Sequence, residues 1–402
     1  MTCLQKGDEG TESGEEPDLI RCEVQNGAVL TEDDVLMVIV GAGASFGCIP
    51  SAQVPSAGPR SMVRGPRGSS LPERPFSEVI PPVTQGLVSP LAFFNELVEV
   101  YWRAQPVVSL LRDRLAREHA PTPLEEALAE YQKLSQRNSM VDQELMAFRF
   151  YLRDLLLACG DYMRSPDLGG GITLYTSLVR ECRDWCFEHG THVCFVSFNY
   201  DTLLESACQT VWGFNPASAD SYVADRRRSI IKPHGSALWE RKYQIGANTY
   251  GPREAADIVI NRKRDLGRLD DLVETVPSSP FQNLNQWRPA VPQLALPLAG
   301  ETKFMWPSDQ AGHFDGLRGR VKRLLTIGWR AAEPQFITRL AAICENLERI
   351  VICGVDEREN REIANRLGSR IYRRSQYPAP IGVSGGFANL LEARPFTTLL
   401  AP

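Results

Sequence analysis

The chain has 402 residues, of which 43% are hydrophobic and 23% charged, and its formal net charge is −5 at pH 7. This composition is typical of a globular protein and excludes a disordered or fibrous chain. The acidic excess disfavours non-specific nucleic-acid binding, which needs a broad positive surface. No apolar run approaches the length of a membrane span, and the acidic start does not resemble a signal peptide. We therefore expect a cytoplasmic protein with no membrane contact.

The sequence divides into four segments. Residues 1–30 are acidic and rich in glycine, and we expect them to form a mobile tail. Residues 31–90 begin a nucleotide-binding domain that includes a loop at 50–82, where abundant proline, serine and glycine argue against regular structure. Residues 91–168 carry apolar side chains at helical spacing and predict a helical insert. Residues 169–402 are assigned to the remainder of the nucleotide-binding domain.

Alternating strands and helices define the fold class. Residues 35–40 are an unbroken apolar run that ends in Gly41, as expected for a strand buried on both faces of a parallel sheet. After residue 169, strands and helices alternate, which favours parallel βαβ units. The prediction is an α/β protein: a Rossmann-like parallel sheet with helices on both faces, interrupted by the helical insert. Further strands are predicted at 192–198, 229–232, 324–327 and 349–353, and helices at 174–187, 202–211, 334–347 and 357–367.

The cysteines give no sign of a metal site. Ten cysteines are scattered along the chain without C-x-x-C spacing. This pattern favours buried or free thiols over a disulfide framework or a zinc site. We therefore predict no metal ligands.

The first candidate motif is Gly-Ala-Gly-Ala-Ser-Phe-Gly at residues 41–47, directly after the first predicted strand. Glycines at such a position let the backbone turn tightly and approach a pyrophosphate. The third glycine, Gly47, comes one position late for the dinucleotide fingerprint G-x-G-x-x-G. A tight strand-to-helix turn without a ligand is the alternative interpretation.

Three further strand ends carry polar residues or glycine. Asn199 and Asp201 follow the strand at 192–198, where a side chain is well placed to bond an amide or a ribose. Capping of the next helix is an alternative role for Asp201. His234 follows the strand at 229–232 and is a candidate general base on a ribose hydroxyl or a water. Gly328, after 324–327, offers another close backbone approach.

Two other motifs are set aside. Residues 382–386 match the hydrolase nucleophile elbow G-x-S-x-G, but that fold needs a later histidine and none follows His313. The chain also lacks the G-x-x-x-x-G-K-[ST] motif of a P-loop ATPase.

Together, the Gly-Ala-Gly-x-Ser turn, Asn-x-Asp and His-Gly-Ser, in this order, resemble the sirtuin family. The match is closest to its bacterial sirtuin-like branch, through residues 197–205 and 232–239. The resemblance implies that Asn199 acts near the nicotinamide ribose and that His234 is the base, so these two are the predicted catalytic residues. It implies NAD binding by Gly41, Ala42, Gly43, Ser45, Asp201, Gly328 and Trp329.

Departures from the family pattern indicate which activity to expect. Protein-deacylating sirtuins carry two C-x-x-C pairs that bind zinc, whereas Cys182 and Cys186 are separated by three residues and no second pair follows. Phe198 also replaces the glutamine of their Thr-Gln-Asn-x-Asp motif. Members that share these departures resemble NAD-cleaving effectors of bacterial antiphage defence. We predict an NAD hydrolase without zinc; the alternatives are a silent NAD- or ADP-ribose-binding module, a structural subunit and a protein deacylase.

The resemblance also implies partners. An uncontrolled NAD hydrolase would kill its host, so we expect activity to be gated by homo-oligomerisation or by a partner defence protein, such as an ATPase or an Argonaute-like protein. The sequence leaves open the trigger, the oligomeric state and the use of NADP.

Overall fold

The computed structural model describes residues 33–49, 62–63, 73–81, 84–116, 124–165, 172–244, 250–262, 266–271, 273–275, 288–296, 304–371 and 379–401. These residues all belong to one compact unit, residues 30–401. The predicted tail and much of the loop at 50–82 lie outside the described residues.

Strands and helices follow one another along the described part of the chain. The strands are β1 (Val35–Val40), β2 (Met62–Val63), β3 (Arg74–Pro75), β4 (His192–Ser197), β5 (Arg228–Ile231), β6 (Gly235–Lys242), β7 (Glu274–Thr275), β8 (Ala290–Leu294), β9 (Val321–Ile327), β10 (Arg349–Cys353) and β11 (Ile381–Val383). The helices are α1 (Ala42–Phe46), α2 (Phe76–Val79), α3 (Ala92–Val100), α4 (Gln105–Ala116), α5 (Leu124–Ser135), α6 (Ser139–Met163), α7 (Leu174–His189), α8 (Leu203–Trp212), α9 (Pro252–Arg262), α10 (Ser308–Asp315), α11 (Pro334–Ile343), α12 (Glu357–Ile371), α13 (Gly386–Glu392) and α14 (Pro395–Thr398).

A six-stranded parallel sheet organises the described part of the chain. Its strand order is β11-β10-β9-β1-β4-β5, and each neighbouring pair is parallel. Val40, the last residue of β1, is level with Ser197 of β4 and Ile327 of β9. The carboxyl ends of these three central strands therefore lie at one edge of the sheet. The structure confirms the predicted α/β class.

Both faces of the sheet are covered, as the apolar run in β1 predicts. Alternate residues of β1, including Val38 and Val40, belong to one buried cluster that also contains residues of α6, α7 and α8. The intervening residues, including Met37 and Ile39, belong to a second cluster with residues of α10, α11 and α12. Because side chains alternate along a strand, one continuous apolar segment supplies two cores.

The helical insert is confirmed as α3 to α6. The 25-residue α6 begins after Asn138, whose side chain accepts a hydrogen bond from the Met140 amide at 3.0 Å. Most of its residues from Leu145 onward are buried. This helix packs beside α5 and also contacts β6, β8 and α9.

A second sheet departs from the sequence prediction. Residues 169–402 are assigned to the remainder of the nucleotide-binding domain without a second sheet, whereas β6, β7 and β8 form a separate antiparallel sheet in the order β7-β6-β8. Three residues separate β5 from β6, and Trp239 of β6 is fully buried in the cluster that contains α6. The sequence pattern misses this sheet because the apolar run of β6 is short, at residues 237–239, and β7 has only two residues.

The expectation of no regular structure at 50–82 is wrong for the part that is described. Strands β2 and β3 pair antiparallel, and α2 follows directly. The Arg74 guanidinium donates to Glu96 of α3 at 2.9 Å and lies 4.9 Å from the centre of the Phe93 ring. These contacts fix this part of the segment to α3 despite its proline content.

Among the described residues, none of the helices combines the length and apolar character needed to cross a bilayer.

Candidate functional site

The candidate site lies where the connections of the parallel sheet change direction. From β1 the chain proceeds to β4 and β5 on one side, whereas β9 lies on the other side of β1 and leads to β10 and β11. The switch point thus lies between β1 and β9, and open α/β sheets bind ligands at such a point, in the crevice beyond the carboxyl ends of the strands. Gly41 and Gly328 occupy these two strand ends.

Close packing of the two loops explains the glycines of the first motif. The Gly41 amide donates to the Ile327 carbonyl at 3.0 Å, and the Gly43 amide donates to the Gly328 carbonyl at 3.3 Å. A Cβ on Gly41 would lie 2.5 Å from the Gly328 oxygen. Gly328 itself has a φ of +58°, and a Cβ there would lie 2.4 Å from the Ala44 nitrogen. The tight-turn interpretation thus accounts for these glycines, while Ala42 and Gly43 remain exposed at the crevice.

We expect Gly41→Ala to lower the free energy of unfolding by about 3 kcal/mol, because the new methyl group collides with backbone that has no free space to move into. Gly312→Ala is the control, since it lies in α10 with nothing within 4 Å of the added Cβ. There alanine should stabilise the helix by up to about 1 kcal/mol. Urea denaturation of both variants measures the difference, and equal effects would contradict the packing argument.

Asn199 is the best-anchored side chain of the site. Its Nδ2 group donates to the Gly41 carbonyl at 2.9 Å and lies 2.8 Å from Ser45 Oγ and 3.1 Å from the Tyr175 hydroxyl. The residue is only 5% exposed. The loop after β4 is thus tied to the Gly-Ala-Gly turn after β1, and the structure brings Asn199, Gly41 and Ser45 together as predicted.

The other end of the same amide has no protein partner. Asn199 Oδ1 is buried and accepts no hydrogen bond from any described residue. Leaving a buried acceptor unsatisfied costs about 1–3 kcal/mol, so such atoms are rare in folded proteins. A ligand with a hydroxyl or amide donor would supply the hydrogen bond that this oxygen lacks.

Asp201 caps α8, which is the alternative role that the sequence offers for this residue. Its Oδ1 accepts a hydrogen bond from the Leu203 amide at 3.0 Å, at the first residue of α8. The residue is 5% exposed. A contact of Asp201 with NAD stays a prediction.

A buried ion pair, which sequence reasoning missed, supports the loops that carry Asn199 and His234. Lys232 Nζ donates to Glu205 Oε1 at 2.6 Å and to the Asp201 carbonyl at 2.7 Å. The two side chains are 0% and 2% exposed. Ser236 adds a hydrogen bond to Glu205 Oε1 at 3.2 Å. The pair therefore connects the end of β5, the start of β6 and the loop after β4.

The His234 ring packs against the neighbours of Asn199. It meets the Phe198 ring edge-to-face at 5.0 Å between centroids and stacks on Tyr200 at 6.0 Å. Burial lowers the pKa of His234 to about 4, and a hydrogen bond with the Phe198 backbone opposes this shift only in part. The imidazole is therefore neutral at physiological pH, which is the state a general base needs.

The lowered pKa of His234 predicts a dependence of stability on pH. The folded state binds this proton less readily than the unfolded chain, whose histidine has the usual pKa of 6.5. The contribution of His234 is thus complete above pH 6.5 and is lost as the pH falls toward 4. Between pH 7.5 and pH 5, wild type should lose about 1–2 kcal/mol more than His234→Gln. Denaturation at both pH values tests this; parallel losses would show that the pKa is not lowered.

The side chain of Trp329, the last of the predicted NAD-binding residues, is buried in the core. It is 2% exposed, its ring stacks on Phe198 at 5.3 Å, and its indole N–H donates to Glu333 at 2.9 Å. If a substrate contacts this part of the chain, the backbone of Trp329 rather than its side chain would therefore make the contact. The role of Gly328 and Trp329 in binding NAD stays a prediction.

A cavity of about 370 Å³ lies beyond the carboxyl ends of β9 and β10. It is lined by Arg330 after β9, by Asp356 after β10, and by Arg358 and Glu359 in the first turn of α12. Neither Asn199 nor His234 lines it. The carboxyl edge thus offers two regions, the polar cluster around Asn199 and this charged cavity.

The two cysteines compared with the sirtuin zinc module lie on α7 and are buried. Burial raises the pKa of Cys186 to about 12 and also raises the pKa of Cys182 well above its usual value. Both are thus held as neutral thiols, and the absence of zinc stays a prediction.

The chain is similar to a number of solved structures, of which two are given below. No protein-family model matches the chain, and no curated protein matches it. A Sir2 homologue in complex with NAD is 13% identical, with 91% of this chain and 91% of that chain covered and a TM-score of 0.37. Sir2Tm bound to a propionylated peptide is 11% identical, with 90% and 94% covered and a TM-score of 0.37.

Proposed function

We propose that the protein is a sirtuin-like NAD hydrolase that cleaves the bond between nicotinamide and ribose. The observation that carries this proposal is the buried Asn199 amide, fixed against the Gly-Ala-Gly turn with an unsatisfied oxygen. A neutral His234, packed on Phe198 and Tyr200, supports it. The order of the three motifs, which resembles the sirtuin family, supports the same activity.

The residues present suit the two halves of NAD. The ribose next to nicotinamide carries hydroxyls that can donate to Asn199 Oδ1. Adenosine fits the size of the cavity after β9 and β10, where Asp356 and Glu359 are acidic groups of the kind that bind ribose hydroxyls in dinucleotide sites. The exposed residues Ala42 and Gly43, in the turn after β1, suit the pyrophosphate.

The reaction follows from this placement. Nicotinamide leaves as a neutral molecule when its bond to ribose C1′ breaks, so it needs little acid assistance. A water oxygen then bonds to C1′, and its proton passes to the neutral His234 imidazole and from there to solvent. The products are nicotinamide, ADP-ribose and one proton. Asn199 and His234 act by holding the ribose and by orienting or activating the water.

A silent nucleotide-binding module is the second candidate. It is favoured by the fact that Gly41, Gly328 and Asp201 all have structural roles that need no reaction. Thermal shift with ADP-ribose and product analysis with NAD separate the two candidates. Stabilisation by ADP-ribose together with nicotinamide release supports the hydrolase; the same stabilisation without release supports the binding module.

The biological role that we propose is antiphage defence by depletion of NAD. Its support is the resemblance to the bacterial sirtuin-like branch and the departures from protein-deacylating members. Gating by self-assembly or by a partner ATPase or Argonaute-like protein belongs to the same proposal, because constant hydrolysis would kill the host. Sedimentation combined with activity measurements tests the gating, which a fully active monomer would contradict.

A further inference from the structure

The Asn199 amide is held by a polar cluster that includes a tyrosine from a distant part of the chain. Tyr175 lies on α7 and is 0% exposed. Its hydroxyl lies 3.1 Å from Ser45 Oγ and 3.1 Å from Asn199 Nδ2. On its other side, the Tyr175 ring packs edge-to-face on Phe387 of α13 at 5.3 Å.

Hydrogen counting shows what the hydroxyls do for the amide. Asn199 Nδ2 carries two hydrogens and faces three acceptors: the Gly41 carbonyl, Ser45 Oγ and the Tyr175 hydroxyl. One hydrogen satisfies the carbonyl, and the two hydroxyls share the other. All three acceptors lie on the nitrogen side, so rotating the amide by 180° would place its oxygen against the Gly41 oxygen. The Gly41 carbonyl, which can only accept, therefore selects the orientation in which Oδ1 points away from the cluster, and the two hydroxyls hold the nitrogen in that place.

The protonation state of Tyr175 fits this arrangement. Burial raises the pKa of Tyr175 well above its usual value, and the charge of Asp201 raises it further. The hydroxyl thus keeps its proton. One hydroxyl proton is used in the contact between Ser45 and Tyr175, and Asn199 Oδ1 is the atom of the cluster that has no partner among the described residues.

We propose that Tyr175 is a positioning residue, whose hydroxyl fixes the Asn199 amide so that Oδ1 is presented to a hydroxyl of the substrate ribose. The presentation to ribose rests on the proposed function, whereas the fixing of the amide does not. Neither part was accessible from the sequence, because Tyr175 belongs to none of the recognised motifs.

The test compares two tyrosine-to-phenylalanine variants. Tyr175→Phe keeps the ring against Phe387 and removes only the hydroxyl. Tyr151→Phe is the matched control, since Tyr151 of α6 is also 0% exposed and its hydroxyl donates to the Leu87 carbonyl at 2.8 Å. Tyr151→Phe loses one buried hydrogen bond and Tyr175→Phe loses two, but only Tyr175→Phe changes the surroundings of Asn199.

The first readout does not depend on activity. In protein labelled with ¹⁵N-asparagine, the Asn199 side-chain signals are assigned by their loss in Asn199→Asp. Tyr175→Phe should shift these signals and speed exchange of their hydrogens at least ten-fold, and Tyr151→Phe should leave them unchanged. Unchanged Asn199 signals in Tyr175→Phe would overturn the inference.

The second readout is nicotinamide release from NAD. Tyr175→Phe should lower kcat/KM at least ten-fold, against less than two-fold for Tyr151→Phe. If the wild-type protein released no nicotinamide, the proposed function would be refuted. The signals of the Asn199 amide would still decide the role of Tyr175. Release by wild type and Tyr175→Phe at equal rates would refute the positioning role alone.

Discussion

Replacing Lys232 by methionine should destabilise the protein by about 3–5 kcal/mol, because Glu205 then remains charged or must be protonated in a site that excludes water. Glu205 is 2% exposed, and its Oε2 atom already has no hydrogen-bond partner among the described residues. Loss of the ammonium would leave only the weaker hydrogen bonds from Ser236 and Tyr222 to Oε1. Chemical denaturation monitored by circular dichroism gives the change.

Two further variants test the explanation for this loss. The double variant Lys232→Met/Glu205→Leu removes both charges and should recover most of the stability, since an apolar pair of similar volume is often as stable as a buried ion pair. Lys242→Met breaks the ion pair between Lys242 and Glu274, which is partly exposed: the two side chains are 25% and 35% exposed. This change should lower the free energy of unfolding by only about 0–1 kcal/mol. If the double variant were no more stable than Lys232→Met, the stranded charge would not be the cause.

Asn199→Ala and His234→Ala should each lower nicotinamide release from NAD by about 100-fold or more, the scale of removing a positioned catalytic group. Asn199→Ala removes the oxygen that we assign to the ribose, together with the contacts to Gly41 and Ser45. His234→Ala removes the neutral base. The rate of nicotinamide formation by chromatography measures both effects.

Controls separate chemistry from folding. His313→Ala is a suitable comparison, because this histidine is also partly buried and bonds Ser229 at 3.0 Å but lies on α10, outside the site. It should retain activity within about three-fold while losing one hydrogen bond. If His313→Ala and His234→Ala lost activity in proportion to their stability, His234 would have no specific part in the reaction.

The parallel sheet is largely predictable from the sequence. Buried parallel strands are continuous apolar runs, as in β1 and in most of β4 and β10; the run is shorter in β9 and is reduced to two isoleucines in β5. Their ends carry glycine or polar residues, so the pattern alone places Gly41, Asn199 and Gly328 at one edge of the sheet. The second sheet is not predictable in this way, because β6 has only three consecutive apolar residues, at 237–239, and β7 has two residues in all.

The support of the site is harder to predict than its motifs. Glu205 follows two leucines in α8, and Lys232 follows two isoleucines at the end of β5. A charged residue beside such apolar residues indicates a buried charge, which needs a partner. Both residues also lie in the two segments that resemble the bacterial sirtuin-like branch. Tyr175 gives no such signal, because one tyrosine on an amphipathic helix resembles any core residue. Its role follows only from the tertiary contact between α7 and the Gly-Ala-Gly turn.

Nicotinamide release from NAD is the most direct test of the proposed activity. The full chain is incubated with NAD over a range of concentrations that spans its self-association, both alone and copurified with the proteins encoded beside it. We predict nicotinamide and ADP-ribose in equal amounts from wild type, and none above background from Asn199→Ala. A wild-type protein that binds ADP-ribose but releases no nicotinamide in any assembly state, with its partners present, would contradict the account.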